Sequence, residues 1–208
     1  MEYWEKRFLD GGIIWGDKPS ETAIYALNLF KKHEVTKILV PGAGYGRNTK
    51  FFTDANLEVV GIEISESAIN LAKSFNPKTQ FIQGSVLEMP YNNEKYDGIY
   101  CCYVLHLFLK DDRISFLKNC YKKLKTKGFA FFVVFSDTDR SFGKGKRIEE
   151  NTYESKPWRP VHYFTETDLK EHFKEYSVIE TGLIEEAEDH GELGPHTHFL
   201  RYIFAQKD

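Results

Sequence analysis

Five short apolar runs, separated by segments of helical pattern, do most to narrow what this chain can fold into. The runs are KILVP (37–41), LEVVGIE (57–63), TQFIQG (79–84), YDGIYCC (96–102) and FAFFVVFS (129–136). Between them stand RNTKFFTDAN, SESAINLAKSF and DDRISFLKNCYKKLK. In the last of these, Ile114, Leu117, Tyr121 and Leu124 fall at helical spacing. Such alternation implies a mostly parallel sheet covered on both faces, because each parallel step needs a crossover long enough to hold a helix. Ser65, just ahead of a helical run, has the side chain of an N-cap. Residues 137–163 are polar, carry Gly and Pro, and show no clear period, so they read as a lid, a binding loop or disorder. A short helix, TETDLKEHF, follows, with Thr165 and Asp168 placed as N-cap and third-position acid. Two β-like runs, YSVIETGLIE and THFLRYIFAQ, joined by EAEDHGELGPH, close the chain. No repeat and no domain boundary interrupts the 208 residues, so a single domain is expected.

Charge and cysteine usage exclude several classes of protein. Twenty-eight basic residues face 31 acidic ones, a net charge of −3 that gives no general pull toward nucleic acid or an anionic membrane. The run GKGKR is basic, but in this setting it reads as a solvated loop. Cys101, Cys102 and Cys120 are odd in number and form no C-x-x-C, which points to neither a disulfide framework nor a zinc site. FAFFVVF and YVLHLFL are far shorter than the roughly 18 apolar residues of a membrane span. The charged start MEYWEKRFLDGG has no apolar signal-peptide core. A cytoplasmic protein is expected.

Within KILVPGAGYGRNTKFF, Gly42, Gly44 and Gly46 lie between the first apolar run and a helical segment. Glycines there form a plain tight turn, or let the backbone approach a ligand at a helix N-terminus. A nicotinamide dinucleotide fingerprint, G-x-G-x-x-G, wants its third glycine at position 47, which is Arg47. Glu63 ends the second run, 19 residues beyond Gly44, where a carboxylate can accept hydrogen bonds from the ribose of a nucleoside.

With these residues in place the chain resembles the class I S-adenosylmethionine-dependent methyltransferases over nearly its whole length. ILVPGAGYGRN is similar to their first motif, VVGIEIS to the acidic second and FIQGSVLEMPY to the third. YDGIYCCYVLHLF resembles the fourth-strand motif and LKTKGFAFFVVFS the fifth strand. The Pro in VPGAG, Glu63 and two early tryptophans resemble the thiopurine and thiol methyltransferases. GYGRN and HYFTETDLKEHF are closer to the tellurite-resistance enzymes. Both groups methylate small, soft acceptors. The resemblance implies an α/β, three-layer Rossmann-like fold whose seven-stranded sheet has the order 3-2-1-4-5-7-6. Strand 7, from THFLRYIFAQ, is expected to be antiparallel.

It also implies S-adenosylmethionine as cofactor and a small-molecule acceptor, without a nucleic-acid or membrane partner. The oligomeric state stays open. Gly42, Gly44 and Gly46 are expected around the methionine moiety, Glu63 on the ribose, Ile64 on the adenine, and Ser85 and Val86 at its edge. Ser85 stands where the family usually has an acid. Cys101 is expected beneath the methionine arm, and is equally read as a small buried hydrophobe. Trp15 either closes over the cofactor or packs in the core.

The acceptor pocket is expected between the N-terminal cap, residues 1–35, and the 137–163 insert. Its candidates are Tyr3, Trp4, His106, Trp158, Arg159 and Tyr163, an aromatic set with one cation. His106 suits a general base by its ordinary pKa, but also suits a structural hydrogen-bonder. His196 and His198 share a strand face with His190 nearby, yet no third ligand stands at firm spacing, so no metal is expected. No catalytic triad is expected, because methyl transfer to a soft anion needs position more than a dedicated base. Two alternatives remain, a non-catalytic cofactor-binding regulator and a nicotinamide oxidoreductase.

Overall fold

The computed structural model describes residues 2–89, 92–189 and 194–208. Its main sheet has seven strands: β1 (Lys37–Pro41), β2 (Glu58–Glu63), β3 (Gln80–Gln83), β4 (Tyr96–Cys102), β5 (Leu124–Phe135), β9 (Ser177–Asp189) and β10 (Pro195–Gln206). They are ordered β3-β2-β1-β4-β5-β10-β9. The first five pair in parallel, and β10 runs antiparallel to both β5 and β9. This is the expected 3-2-1-4-5-7-6 order, with the last two strands renumbered by three strands from the insert.

Those three, β6 (Lys146–Glu149), β7 (Thr152–Lys156) and β8 (Arg159–His162), form a separate antiparallel sheet. The sequence reading saw only an aperiodic loop here. The strands are four or five residues long and broken by register shifts, so a period-2 pattern has no length over which to show.

The apolar runs are continuous because both faces of the sheet are buried. Leu39, Ile99, Phe132 and Val134 pack with Phe116 and Phe173 on one face. Ile38, Val40, Tyr100, Phe131 and Val133 pack with Phe30 and Phe52 on the other. The flanking helices are α1 (Glu2–Gly11), α2 (Glu21–Lys32), α3 (Arg47–Asp54), α4 (Glu66–Phe75), α5 (Lys110–Lys123) and α6 (Glu166–His172). Ser20, Ser65 and Thr165 cap α2, α4 and α6 by accepting the N–H three residues on. Helix α1 lies on α4, with Phe8 in a third cluster beside Tyr45 and Ala68. Among the described residues no helix is long and apolar enough to cross a membrane.

Candidate functional site

The carboxyl ends of β1, β2 and β4 meet at the glycine turn. Gly42, Gly44 and Gly46 all have positive φ, at 69°, 57° and 92°. The N–H groups of Gly42 and Ala43 donate to the Ile62 carbonyl, tying the turn to β2. Val104, just past β4, presses on the turn from below, so that a Cβ on Gly42 would lie 2.2 Å from Val104 Cγ2. The turn therefore lies flat against its neighbours and offers backbone, not side chains, to anything above it.

Glu63 is buried at 6% exposure and accepts three backbone hydrogen bonds. Oε2 takes Gly44 N–H at 2.8 Å, and Oε1 takes Ile64 and Ser65 N–H at 2.8 and 2.9 Å. It thus cross-links the glycine turn to the start of α4. Burial pushes its carboxyl above the ordinary value, and the three N–H donors pull it back. A carboxylate has about four acceptor positions, so one stays open for a hydroxyl donor. Ile64 is half-buried beside it, and the Gly84 N–H on the next strand donates to the Glu63 carbonyl. Ser85 accepts the Leu87 N–H, and Val86 is buried in the core. Cys101 is wholly buried, and burial raises its thiol well above the ordinary value, so it stands as a neutral apolar group.

The N-terminal segment is fastened across this turn by two residues of the turn itself. The Trp15 ring stacks on Tyr45 at 6.2 Å, and Tyr45 Oη donates to the Gly16 carbonyl at 2.7 Å. Arg47 donates to the Trp15 carbonyl and pairs with Glu188 on β9 at 3.2 Å. Glu5 accepts from Ser65 Oγ and Ser67 at the start of α4. Trp4 joins Phe8 and Trp15 in this cluster. Tyr45 reads as ordinary variation in the sequence; an aromatic between the last two glycines and a cation directly after them were the available signal.

A second group of side chains gathers around Phe135 at the end of β5. Its ring meets His106 at 4.7 Å, His198 at 4.8 Å, Tyr163 at 5.8 Å and Tyr103 at 5.9 Å. Arg159, at the head of β8, reaches inward to Tyr3 Oη at 3.4 Å. The N-terminal helix and the insert therefore meet at this pair. Tyr3, His106, Arg159 and Tyr163 are brought to one side of the sheet edge, with β8 packed on residues 105–107; Trp4 belongs to the glycine-turn side. Trp158 is a correction to the sequence reading. It sits at the turn between β7 and β8 with φ of 62°, is 90% exposed, and faces solvent. Alternation along a hairpin sends neighbours to opposite sides, so adjacency to Arg159 said nothing about a shared direction.

Two further polar residues at this edge, Glu186 and Glu188, were missed, and His198 was weighed only as a metal ligand. Glu186 and Glu188 lie on the same face of β9, and Tyr103 Oη donates to Glu186 Oε2 at 3.1 Å. His198, the cross-strand neighbour of Glu186, contacts Asp139 at 3.4 Å and His196 at 3.0 Å. His190 lies outside the described residues. The alternating acids of EEAED were the only sequence signal for this face.

Burial, then the charge of Glu188, pushes the Glu186 carboxyl up to about 7, with Arg47 and Tyr103 opposing; Cys102 and Glu21 also face it. A raised native pKa means the folded state holds the proton longer than the unfolded chain. That contribution to stability is complete at low pH and is lost as pH rises from about 4.5 to 7, an effect of about 3 kcal/mol. Glu186→Gln is therefore expected to raise the melting temperature at pH 8 and to change it little at pH 5. Equal shifts at both pH values in paired thermal melts would contradict this.

Comparison with known proteins finds similarity to methyltransferases. Residues 39–132 match a family model described as a methyltransferase domain. Thiocyanate methyltransferase 1 of Brassica oleracea is 27% identical over 157 residues, 73% of this chain and 69% of that protein. The tRNA N(3)-methylcytidine methyltransferase Mettl2 of Drosophila melanogaster is 26% identical over 158 residues, 69% of this chain but 49% of that protein. Among solved structures, the 1,6-didemethyltoxoflavin-N1-methyltransferase of Burkholderia thailandensis superposes with a TM-score of 0.73 at 21% identity. The match covers 99% of this chain and 86% of that one, which holds its substrate and S-adenosylhomocysteine.

Proposed function

We propose that this chain, a class I S-adenosylmethionine-dependent methyltransferase, methylates a small molecule whose nucleophile is a thiol or a chalcogen. The observation that carries this reading is the aromatic lining around Phe135, with Tyr103 and Tyr163 about it and the Tyr3–Arg159 pair beside Tyr163. Aromatic walls favour a polarizable acceptor over a strongly hydrated one. The relative from Brassica oleracea is named for thiocyanate, a soft sulfur anion.

The residues fit the cofactor. The glycine turn offers bare backbone, which suits close approach of the methionine moiety to Gly42, Gly44 and Gly46. Glu63 keeps one acceptor position for a ribose hydroxyl, held in place by its three backbone donors. Ile64, Ser85 and Val86 would hold the adenine side, Cys101 would lie beneath the methionine arm, and Trp15 would cover it from the strap held by Tyr45 and Arg47. When bound, S-adenosylmethionine supplies a methyl group on a positively charged sulfur. The protein then has to hold acceptor and methyl in line and keep water out, which Trp15, Phe135, Tyr163 and the insert accomplish. One domain suffices: residues 1–35 cap it and 137–163 form the lid.

A nucleic-acid acceptor, as in the name of the tRNA relative, finds less support, because a net charge of −3 gives no general attraction to phosphates. All three cysteines are free thiols, as a reducing cytoplasm keeps them. Calorimetry should show binding of S-adenosylmethionine and S-adenosylhomocysteine and none of NAD. A methylation screen over thiols, selenite, tellurite, amines and carboxylates should then favour the first three. Methylation of amines or carboxylates alone would reject the acceptor class.

A further inference from the structure

Among the described residues, two buried side-chain nitrogen atoms have no hydrogen-bond partner: His106 Nδ1 and Arg159 Nε. His106 packs on Phe135, and β8, which begins at Arg159, packs against residues 105–107 that carry His106. His106 is only 2% exposed, and Arg159 is the charged group that bears on it most strongly. An unsatisfied buried polar atom is costly to a fold, and more so when the group is charged. Two such atoms on neighbouring elements, with no other among the side chains of the described residues, call for a common cause.

Three other arginines of low exposure show what Arg159 lacks. Arg47 pairs with Glu188, Arg113 with Glu149 and Arg201 with Asp137. Arg159 has no carboxylate partner among the described residues; it donates to the Tyr3 hydroxyl, over whose ring its guanidinium lies at 5.7 Å. The nearby acid, Asp139, is already engaged by the Phe199 N–H, by Ser141 and by His198. Burial and the adjacent Arg159 hold the His106 imidazole well below its ordinary value, so it is neutral and has one N–H to give. A second cation at that position would only add repulsion.

We propose that Arg159 Nε and His106 Nδ1 together bind an anionic oxygen of the acceptor. The substrate is then a small thiol- or chalcogen-bearing acid, with its oxyanion on these two donors and its soft atom left free to face the methyl group. This rests on the methyl-transfer reading above and adds the acceptor's charge and its point of attachment. The anion selects the Nδ1–H tautomer of His106 and satisfies Arg159 Nε in the same step. His106 serves here as a binding donor and takes no proton from the acceptor.

The test uses 3-mercaptopropionate, its neutral methyl ester, and propionate, which has the oxyanion but no thiol, in buffer free of phosphate and sulfate. In the native protein the acid should have a KM at least tenfold below that of the ester. Arg159→Gln should erase that preference, and Arg159→Lys should recover only part of it because lysine keeps the charge without Nε–H. His106→Phe should weaken the acid tenfold, and His106→Asn, which retains a side-chain N–H, should restore most of the loss. Equal KM values for acid and ester, or a preference that survives in Arg159→Gln, would overturn the proposal. Calorimetric titration of propionate into protein saturated with S-adenosylhomocysteine separates this from the acceptor reading. Propionate binding that Arg159→Gln abolishes, with neither thiol methylated, upholds the oxyanion site and rejects the thiol. Methylation of both thiols alike without propionate binding does the reverse. If Arg159→Gln fails to fold in a thermal melt, the native acid–ester comparison and Arg159→Lys decide.

Discussion

Glu63→Ala is expected to lower fold stability by about 3 kcal/mol and to weaken S-adenosylmethionine binding by about 1.5–3 kcal/mol, roughly 10- to 150-fold. The stability loss follows from three N–H groups, those of Gly44, Ile64 and Ser65, that lose their acceptor together. Hydrogen bonds to a charged group are each worth about 1.5–3 kcal/mol, but the carboxylate is itself costly to bury, so the net falls well below their sum. The affinity loss has two sources: the open acceptor position disappears, and the glycine turn comes loose from α4. Denaturant titration without ligand reads the first effect, and calorimetry with S-adenosylmethionine reads the second. Unchanged affinity in a folded variant would remove Glu63 from the ribose. Unchanged stability would show that the three N–H groups find water at no cost.

The second large effect is expected at Gly42. Alanine there would place a Cβ 2.2 Å from Val104 Cγ2, on a residue whose φ is 69°. Valine is stiff at χ1, so the clash must be relieved by backbone movement of the turn or of the segment after β4. A cost of about 2–4 kcal/mol is expected from conformational strain and overpacking together. Gly12 supplies the control, because its φ is 61° and nothing lies within 4 Å of its added Cβ. Gly12→Ala should cost only the backbone part, about 1 kcal/mol. Pairing Gly42→Ala with Val104→Ala should return part of the lost stability in a double-mutant cycle. Additive losses in that cycle would mean that the two residues do not meet as described.

Much of the fold was legible because its cause is local. Parallel strands buried on both faces produce unbroken apolar runs, and all five were read near their observed places. The exception was β5, which begins at Leu124 instead of 129: its first residues, LKTKG, are largely exposed and carry no apolar signal. The antiparallel last strand was also legible, since THFLRYIFAQ presents Leu200, Tyr202 and Phe204 to one face and Ile203 and Ala205 to the other. The insert sheet was not. Its strands are short and half-exposed, so composition and period are those of a loop.

The candidate site divides along the same line. Gly42, Gly44, Gly46 and Glu63 could be named from the chain, because a glycine turn and an acid at a strand end owe their places to neighbouring residues. What the chain did not reveal is that Glu63 already serves three backbone donors, since those come from two separate segments. Nor did it separate Trp158 from Arg159, adjacent residues of which one faces solvent and the other reaches Tyr3.

By itself, then, the sequence determined the layer architecture, the strand order, and the backbone cradle at the end of β1. The layers and the cradle follow from periodicity and from the φ values that only glycine adopts readily, while the strand order came from the family resemblance that the motifs carry. The tertiary structure alone decided which polar groups meet across distance. Examples are Arg47 with Glu188 over 141 positions, Tyr103 with Glu186 over 83, and Arg159 with Tyr3 over 156. It also decided which groups are left without partners, as His106 Nδ1 and Arg159 Nε are. The physical reason is that burial and hydrogen-bond satisfaction belong to packed surroundings, while secondary-structure pattern belongs to the chain.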